Sequence, residues 1–348
     1  MKKLTALLLT AVLCFSLAGC ASGTPANSSA PTPGSSSTEP TGSAAPAAYN
    51  WPTETVTFTV PASPGGGTDT QARIVADYLQ RTTGVAFNVV NDTTGGNTVA
   101  LENARHAKSD GTNLLFFHTS PLMSYYQGKI DFNPVDEFTV VTSVGQQADG
   151  AICVPADAPY NTGEEFIAYA KEHPGELTFG GTLGGNSQAM IQTFFSAADV
   201  DINLVDAGNE ADWVTALMAG SIDVCMLTPT TALQHIEAGN FKALIVTGPE
   251  PSDLFPGLPC FADFGCEQIW TVKFFIFGPK DLDEDVCAAL NELLKEMEND
   301  ETAMEKIMTA QQSPFTYQTQ EEAAAEFASL ADTAKTMSEL IGFDVTGK

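Results

Sequence analysis

Apolar positions between residues 51 and 348 fall into two alternating spacings. Short β-branched runs predict strands, and apolar residues at i, i+3, i+4 and i+7 predict amphipathic helices between them. In the first part of this region a strand and a helix follow each other twice before a third strand. That order is typical of a parallel sheet covered by helices on both faces. The predicted elements are strands at 56–60, 87–90, 114–117, 138–144 and 150–154, with helices at 68–82 and 99–108.

The same alternation continues in a second α/β unit, and extended crossings join the two. We therefore predict an α/β protein with two lobes and a ligand cleft between them. Lobe 1 is expected to comprise residues 51–150 with about 270–348, and lobe 2 about 151–270. The second unit comprises strands at 177–180, 202–205 and 222–226, with helices at 188–198 and 211–219. Two further helices are predicted at 285–297 and about 320–341.

Three signals mark helix ends in this pattern. Thr68-x-x-Gln71 and Thr319-x-x-Glu322 both fit a capping box, in which the first side chain and the last satisfy each other's main-chain N–H groups. Gly84 follows the last apolar position of the first helix and predicts its C-terminal stop.

The N-terminal residues are predicted to be a targeting segment and not part of the folded domain. Two lysines and a short apolar run predict a signal peptide over residues 1–19, ending in Leu17-Ala18-Gly19-Cys20, which resembles a bacterial lipobox. That motif predicts a diacylglyceryl group on Cys20, whereas an ordinary secretory signal would leave Cys20 unmodified. Residues 20–50 read as the lipidated cysteine and a flexible Ser-, Thr-, Pro- and Ala-rich tether. We expect an extracytoplasmic protein anchored to the bacterial cell membrane by lipid.

Charge and residue usage narrow the possible ligands. The net charge of −28 argues against nucleic acid binding, which requires clustered Lys and Arg. The chain has only three arginines, so a bound anion must be held mostly by other groups. Its four histidines and seven cysteines are scattered, so no metal and no cofactor is expected. Cys260 and Cys266 could form a disulfide or remain buried thiols.

Two glycine-rich loops each lead from a predicted strand into a predicted helix. Neither fits a phosphate-binding P-loop, because no lysine follows the glycines, and the dinucleotide fingerprint lacks its third glycine. Glycines before a helix can instead turn main-chain N–H groups toward a carboxylate. A plain strand-to-helix turn is the alternative for either loop alone. The candidate ligand-binding residues are Pro64, Gly65, Gly66, Gly67, Thr68 and Asp69 in the first loop, and Gly181, Thr182, Gly184, Gly185, Asn186 and Ser187 in the second.

An ordered set of motifs over residues 51–348 resembles the extracytoplasmic solute receptors of the tripartite tricarboxylate transporter family. The resemblance implies a two-lobed periplasmic-binding-protein fold, type II-like, which closes on a small carboxylate and delivers it to integral-membrane permease subunits. It also implies a non-enzyme, and we expect a monomer. The motifs are V-P-x-x-P-G-G-G-T-D at 60–69, K-S-D-G at 108–111, L-T-F-G at 177–180, A-L-M-A-G-S-I-D at 216–223 and A-L-x-H-I-x-A-G at 232–239.

Departures from the family pattern leave the ligand open. Many members carry histidine where this chain has Ala189, and Tyr-Lys-Gly or similar where it has residues 205–208. A tricarboxylate, a dicarboxylate, a monocarboxylate or an amino acid is compatible with this sequence as the ligand. The alternatives are the binding component of a carboxylate sensor and an exported hydrolase, although no histidine is placed beside Ser187 or Asp69. Asp69 could cap its helix with Thr68 or hydrogen-bond a ligand group, and Trp213 is predicted to pack in the core.

Overall fold

The first of two five-stranded sheets contains the predicted β-α-β-α-β unit. The computed structural model describes residues 50–182 and 186–345. In the first sheet, the order is β2-β1-β3-β10-β4. β1 pairs in parallel with β2 and β3, whereas β10 runs antiparallel between β3 and β4. These strands are β1 (Val56–Val60), β2 (Phe87–Asn91), β3 (Asn113–His118), β4 (Phe138–Gln146) and β10 (Lys273–Pro279).

The second sheet has the order β7-β6-β8-β5-β9. β6 pairs in parallel with β7 and β8, and β5 runs antiparallel between β8 and β9. The chain passes from the first sheet to the second between β4 and β5, and returns between β9 and β10. Its strands are β5 (Ala151–Pro155), β6 (Thr178–Gly181), β7 (Asn203–Asp206), β8 (Val224–Leu227) and β9 (Phe241–Val246). Two mixed sheets joined by two crossing segments confirm the predicted α/β class with two lobes.

Eleven α-helices within the described residues cover the sheets. They are α1 (Gly67–Thr83), α2 (Thr98–Arg105), α3 (Ser120–Tyr126), α4 (Pro134–Glu137), α5 (Gly163–Glu172), α6 (Asn186–Ala197), α7 (Glu210–Met218), α8 (Pro229–Glu237), α9 (Glu284–Glu296), α10 (Glu301–Gln311) and α11 (Gln320–Leu340). Short 3-10 helices lie at Phe261–Phe264 and Met297–Asn299. None of the helices in this described part is long and apolar enough to cross a membrane.

Helix ends follow two of the three predicted signals. The side chain of Thr319 accepts from Glu322 N, and the Glu322 carboxylate accepts from Thr319 N, so this capping box is confirmed. Gly84 ends α1 in the left-handed region at φ 74°, as predicted. The Thr68-x-x-Gln71 box is wrong. Gly66 is the N-cap of α1 and no side chain caps the helix, because Gln71 instead donates to Val144 O of β4 at 2.7 Å.

α11 joins the helical layers of the two sheets. It packs on β4 and α3 in the first lobe and also on α6, which follows a strand of the second sheet. Ala189 and Met190 of α6 belong to the same apolar cluster as Phe327 and Met337 of α11. The five cysteines of the described region are buried free thiols, so Cys260 and Cys266 are not bonded in the structure. The predicted signal peptide and Cys20 lie outside the described residues.

Candidate functional site

The first glycine loop is held by a buried carboxylate. Gly65 has a φ of +82°, a conformation that favours glycine, and its N–H donates to Asp69 Oδ2 at 2.8 Å. Asn91 Nδ2 donates to Asp69 Oδ1 at 2.9 Å, and Arg73 Nε donates to Oδ2 at 3.0 Å. Arg73 Nη2 lies 2.9 Å from Oδ1. These four contacts use the usual accepting capacity of a carboxylate.

This environment defines the role of Asp69. Burial by itself raises the pKa of Asp69, but the hydrogen bonds from Arg73, Gly65 and Asn91 together bring its pKa below the ordinary value of 3.8. Asp69 is therefore ionised and saturated by its own chain. It neither caps α1 with Thr68 nor retains a free oxygen for a ligand, and we interpret it as the residue that shapes the loop.

The start of α1 reaches one of the crossing segments. The first main-chain hydrogen bond of the helix joins Thr70 N to Gly66 O at 2.9 Å. Gln311 Nε2 donates to Gly67 O at 2.9 Å, and Gln311 Oε1 is buried with no partner in the described part of the chain. A Cβ on Gly67 would lie 3.5 Å from that Oε1 and 3.6 Å from Gln147 Nε2. The first loop thus meets the segment that connects β4 to β5.

The second loop contacts the other lobe through Asn186. Asn186 Nδ2 donates to Ser120 Oγ, at the start of α3, at 2.5 Å. Thr182 Oγ1 donates to Gly208 O at 2.6 Å, and Ser187 Oγ is 3.3 Å from both the N and the O of Thr182. Gly181 is the last residue of β6. The predicted site residues Gly184 and Gly185 lie outside the described residues.

A cavity of about 210 Å³ lies where the second sheet meets both crossing segments. It is bounded by the starts of α6 and α7, the ends of β8 and β9, and residues just before β5 and β10. Of the predicted site residues, Asn186 and Ser187 line it, whereas Pro64–Asp69, Gly181 and Thr182 do not. The lining residues are Gln147, Ala148, Asp149, Gly150, Asn186, Ser187, Met190, Glu210, Trp213, Met226, Leu227, Thr228, Thr247, Trp270 and Val272.

The charged groups that line this cavity are two carboxylates. Glu210 Oε1 accepts from Thr228 N at 2.7 Å and from Thr228 Oγ1 at 2.8 Å. Asp149 makes no hydrogen bond or ion pair with any described residue, and burial raises its pKa to about 6. Arg, Lys and His are absent from the described lining.

Two tryptophans form much of the apolar wall. Trp213 is buried and its Nε1 donates to Gly208 O at 2.9 Å, so the prediction that it packs in the core is confirmed, although it also lines the cavity. Trp270 is 1% exposed, and its Nε1 has no acceptor within the described chain.

Sequence reasoning missed several lining residues, above all Asp149, Glu210 and Trp270. Asp149 and Trp270 lie on crossing segments, which have no helical or strand periodicity to mark an inward face. Glu210 follows Asn209, whose side chain accepts from Ala211 N and Asp212 N as the N-cap of α7. That N-cap signal could have placed Glu210 at a helix start beside the ligand cleft. Among residues 50–182 and 186–345, no three His, Cys, Asp or Glu side chains form a metal-binding group.

Comparisons with known proteins agree with this architecture. Residues 71–342 match the tripartite tricarboxylate transporter family receptor. The protein BugT of Bordetella pertussis is 25% identical over 255 residues, which cover 72% of this chain and 78% of BugT. A UPF0065 protein encoded in the gbd 5' region of Cupriavidus necator is 25% identical over 83% of this chain and 86% of its own length.

Solved structures share the fold. A periplasmic transporter superposes with a TM-score of 0.73 at 24% identity and covers 85% of this chain and 99% of its own. MatC of Rhodopseudomonas palustris with bound malate superposes with a TM-score of 0.69 at 22% identity, and the match covers 84% of this chain and 100% of MatC. Rpa4515 of R. palustris with adipate superposes with a TM-score of 0.71 at 20% identity, and the match covers 84% of this chain and 99% of Rpa4515. The extent of the family match, over most of the folded chain, shows that this protein belongs to the receptors of the tripartite tricarboxylate transporter family.

Proposed function

We propose that this protein binds a small carboxylate in the cavity between the second sheet and the crossing segments, and delivers it to the permease subunits of a tripartite transporter. The observation that carries the proposal is the position of the cavity. It lies at the carboxyl ends of β8 and β9 and beside two helix N-termini, where open α/β sheets bind ligands. Its walls include both segments that join the lobes, so a bound solute contacts the parts of the chain that relative motion of the lobes would displace.

The start of α6 supplies a site for one carboxylate. Asn186 and Ser187 line the cavity, and the N-terminal end of a helix presents main-chain N–H groups and partial positive charge. The start of α1, reached through Gln147, supplies a second set of donors after rearrangement of the lobes. We therefore retain both glycine loops as binding elements, with Asp69 shaping the first. Two solved structures that share this fold, one with adipate and one with bound malate, support the carboxylate class.

Family membership supports a receptor rather than an enzyme. The hydrogen bonds of Ser187 Oγ in the described chain go to Thr182, and none goes to a histidine, so the observed contacts do not favour a hydrolase. We also propose that residues 51–150 with about 270–348 move as one lobe against about 151–270. The receptor acts as a monomer, outside the cytoplasm, tethered by lipid on Cys20.

Filling the cavity should abolish ligand binding. A panel of small carboxylic acids should contain at least one that stabilises the protein. At 100 times its dissociation constant, such a ligand contributes about 2.7 kcal/mol and raises the melting temperature by about 4 °C. Ser187→Phe places a ring in the cavity and should remove that shift. Differential scanning fluorimetry measures both.

The matched control is Ser196→Phe, the same change on an exposed position of the same helix outside the cavity. It should keep the ligand-induced shift. Equal shifts in both variants would place the ligand elsewhere, and conversion of the ligand to a product, followed by mass spectrometry, would contradict the receptor proposal.

Cys20→Ala should release the protein from membranes. Lipidation of this cysteine is the proposed anchor, and two acyl chains hold a protein on a bilayer far more stably than one. After cell fractionation, we expect the native chain in the membrane fraction and the variant in the soluble fraction. Membrane retention of the variant would contradict lipidation at Cys20.

A further inference from the structure

The cavity has a charge that a dicarboxylate would not match. Asp149 and Glu210 both face the ligand space, and the described lining contains no cationic side chain. Two negative groups of a dicarboxylate would meet two negative side chains across a partly desolvated space, where like charges repel strongly. One carboxylate of a ligand can lie against the positive N-terminal end of α6. The ligand group beside Asp149 must instead be uncharged or positively charged.

Asp149 is built into the cavity wall without any partner of its own. It lies on the segment between β4 and β5 and makes no hydrogen bond or ion pair with a described residue. A Cβ added to Gly248 would lie 2.0 Å from Asp149 Oδ2, so the carboxylate occupies space that exists only because residue 248 is glycine. Asp149 is only partly exposed, and taking an unpaired carboxylate partly out of water destabilises the folded chain. Such a group fits a site in which the ligand supplies the missing cation.

We propose that the ligand carries a protonated amine beside Asp149, a carboxylate at the start of α6, and an apolar body, as an amino acid with an apolar side chain does. This inference rests on the proposed receptor function and names the ligand class of the same cavity. Glu210 adds a second negative charge, although one of its oxygens is already bonded to Thr228.

The remaining walls fit the apolar body. Trp213, Trp270, Met190, Met226 and Val272 line the same cavity as the two acids and the start of α6. Tryptophan faces also attract cations, which adds to the preference for an amine. At about 210 Å³ the cavity is smaller than the 300–1,000 Å³ of sites for drug-sized ligands, so it fits a molecule of amino acid size.

Matched pairs of probes test the amine directly. Leucine, methionine and phenylalanine are compared by calorimetry with their deaminated counterparts 4-methylpentanoate, 4-(methylthio)butanoate and 3-phenylpropanoate, together with malate and adipate, on the full-length chain. We expect at least one amino acid to bind at least tenfold more tightly than its deaminated partner and than both dicarboxylates. Tighter binding of the deaminated acid in every pair, or of a dicarboxylate, would overturn the inference while leaving the receptor proposal intact. Failure of every carboxylate in this and the wider panel would contradict both.

Asp149→Asn provides the second arm, because it keeps the shape of the side chain and removes its charge. For the amino acid that binds, we expect a loss of about ten- to a hundredfold in affinity, the worth of one charge-assisted hydrogen bond. The deaminated partner should lose nothing or gain. Asp157→Asn, an exposed acid just after β5 outside the cavity, is the control and should change neither affinity. Equal loss of both ligands in Asp149→Asn would assign Asp149 a merely structural role.

Lowering the pH should change the affinity for an amino acid and the affinity for its deaminated counterpart differently. Glu210 is the other ionisable group in the described lining, and no charged neighbour contributes to the pKa of Asp149. As pH falls through about 6, Asp149 gains a proton and loses its attraction for an amine, so amino acid affinity should fall from pH 7.5 to pH 5. Affinity for the deaminated acid should stay constant or rise, because a repulsion is removed. Parallel slopes would contradict the amine contact.

Discussion

Gly150→Ala is expected to lower the free energy of unfolding by about 3 kcal/mol, a large effect for the addition of one methyl group. Gly150 is the last residue before β5, and a Cβ there would lie 2.0 Å from Leu227 O and 3.0 Å from Leu227 C. Both are main-chain atoms of β8, so no side-chain rotation relieves the overlap. Added bulk in a packed interior ordinarily destabilises by about 1–3 kcal/mol, and a main-chain obstacle places this variant at the upper end.

The strain of Gly150→Ala should also reach the cavity. Gly150 O accepts from Thr247 N at 3.0 Å, and Ala151 pairs with Leu227 and Val246 in the adjoining strands. Displacing this residue shifts the end of the second sheet that bounds the ligand space. Urea denaturation followed by circular dichroism measures the stability, and the ligand-induced melting shift reports the cavity.

Gly66→Ala is the matched control. Gly66 has an ordinary φ of −75°, and its Cβ would lie 3.3 Å from Ser63 O, a contact that small adjustments relieve. We expect its stability to change by less than about 1 kcal/mol. A Gly150→Ala protein as stable as the Gly66→Ala protein would show that β5 and β8 do not approach as closely as described.

Asp69→Ala is expected to destabilise the protein by about 2–4 kcal/mol. The change leaves Gly65 N and the Asn91 amide without their acceptor and removes a partly buried ion pair with Arg73. Each buried polar group left without a partner costs about 1–3 kcal/mol. The loss of the ion pair adds less than that, because half of the Arg73 side chain is exposed and water can solvate it. Chemical denaturation at pH 7 measures the loss.

The pH dependence of the Asp69 contribution has a definite sign. The pKa of Asp69 in the folded chain is below its ordinary value of 3.8, so its stabilising contribution is complete above pH 4 to 5. That contribution disappears as pH falls through the folded pKa, because both states then bind the proton. The difference between the native chain and Asp69→Ala should therefore begin to narrow as the pH falls below the ordinary pKa of 3.8.

Asp77→Ala controls for the loss of an acid on the same helix. Asp77 also pairs with an arginine four residues later, Arg81, and with Lys306, but all three side chains are more than 40% exposed. Exposed ion pairs contribute about 0–1 kcal/mol, so Asp77→Ala should cost no more than that. Equal costs at the two positions would mean that the buried contacts of Asp69 add nothing.

The sequence predicted most strands because their burial is local and periodic. The unit from β1 to β3 follows from alternating predicted elements of 4–15 residues, and the structure places these elements within three residues of the predicted bounds. β9 and β10 were not predicted. The apolar run Phe274–Phe277 is itself a local signal of a buried strand, but its antiparallel position between β3 and β4 depends on residues more than 100 positions away, which local spacing does not show.

The cavity was harder to predict than the fold because its chemistry lies on connecting segments. Glycine loops are visible in a sequence, and they led to Asn186 and Ser187. Asp149 and Trp270 line the cavity because the two crossing segments pass beside it. The path of those segments depends on how the two sheets are arranged in the folded chain. The failed capping box at Thr68 has a similar origin, since Gln71 is used to attach α1 to β4.

The position of α11 constrains how the two lobes can separate. This single helix packs on β4 and α3 in the first lobe and on α6 in the second, so the lobes are joined by side-chain packing as well as by the two crossings. A pure hinge would have to break the contact between α6 and α11. A shear motion, in which one helix slides along the other, would keep most of that apolar surface buried while the crossings bend. Because Met190 of α6 packs in this cluster and also lines the cavity, such sliding would change the volume available to the solute.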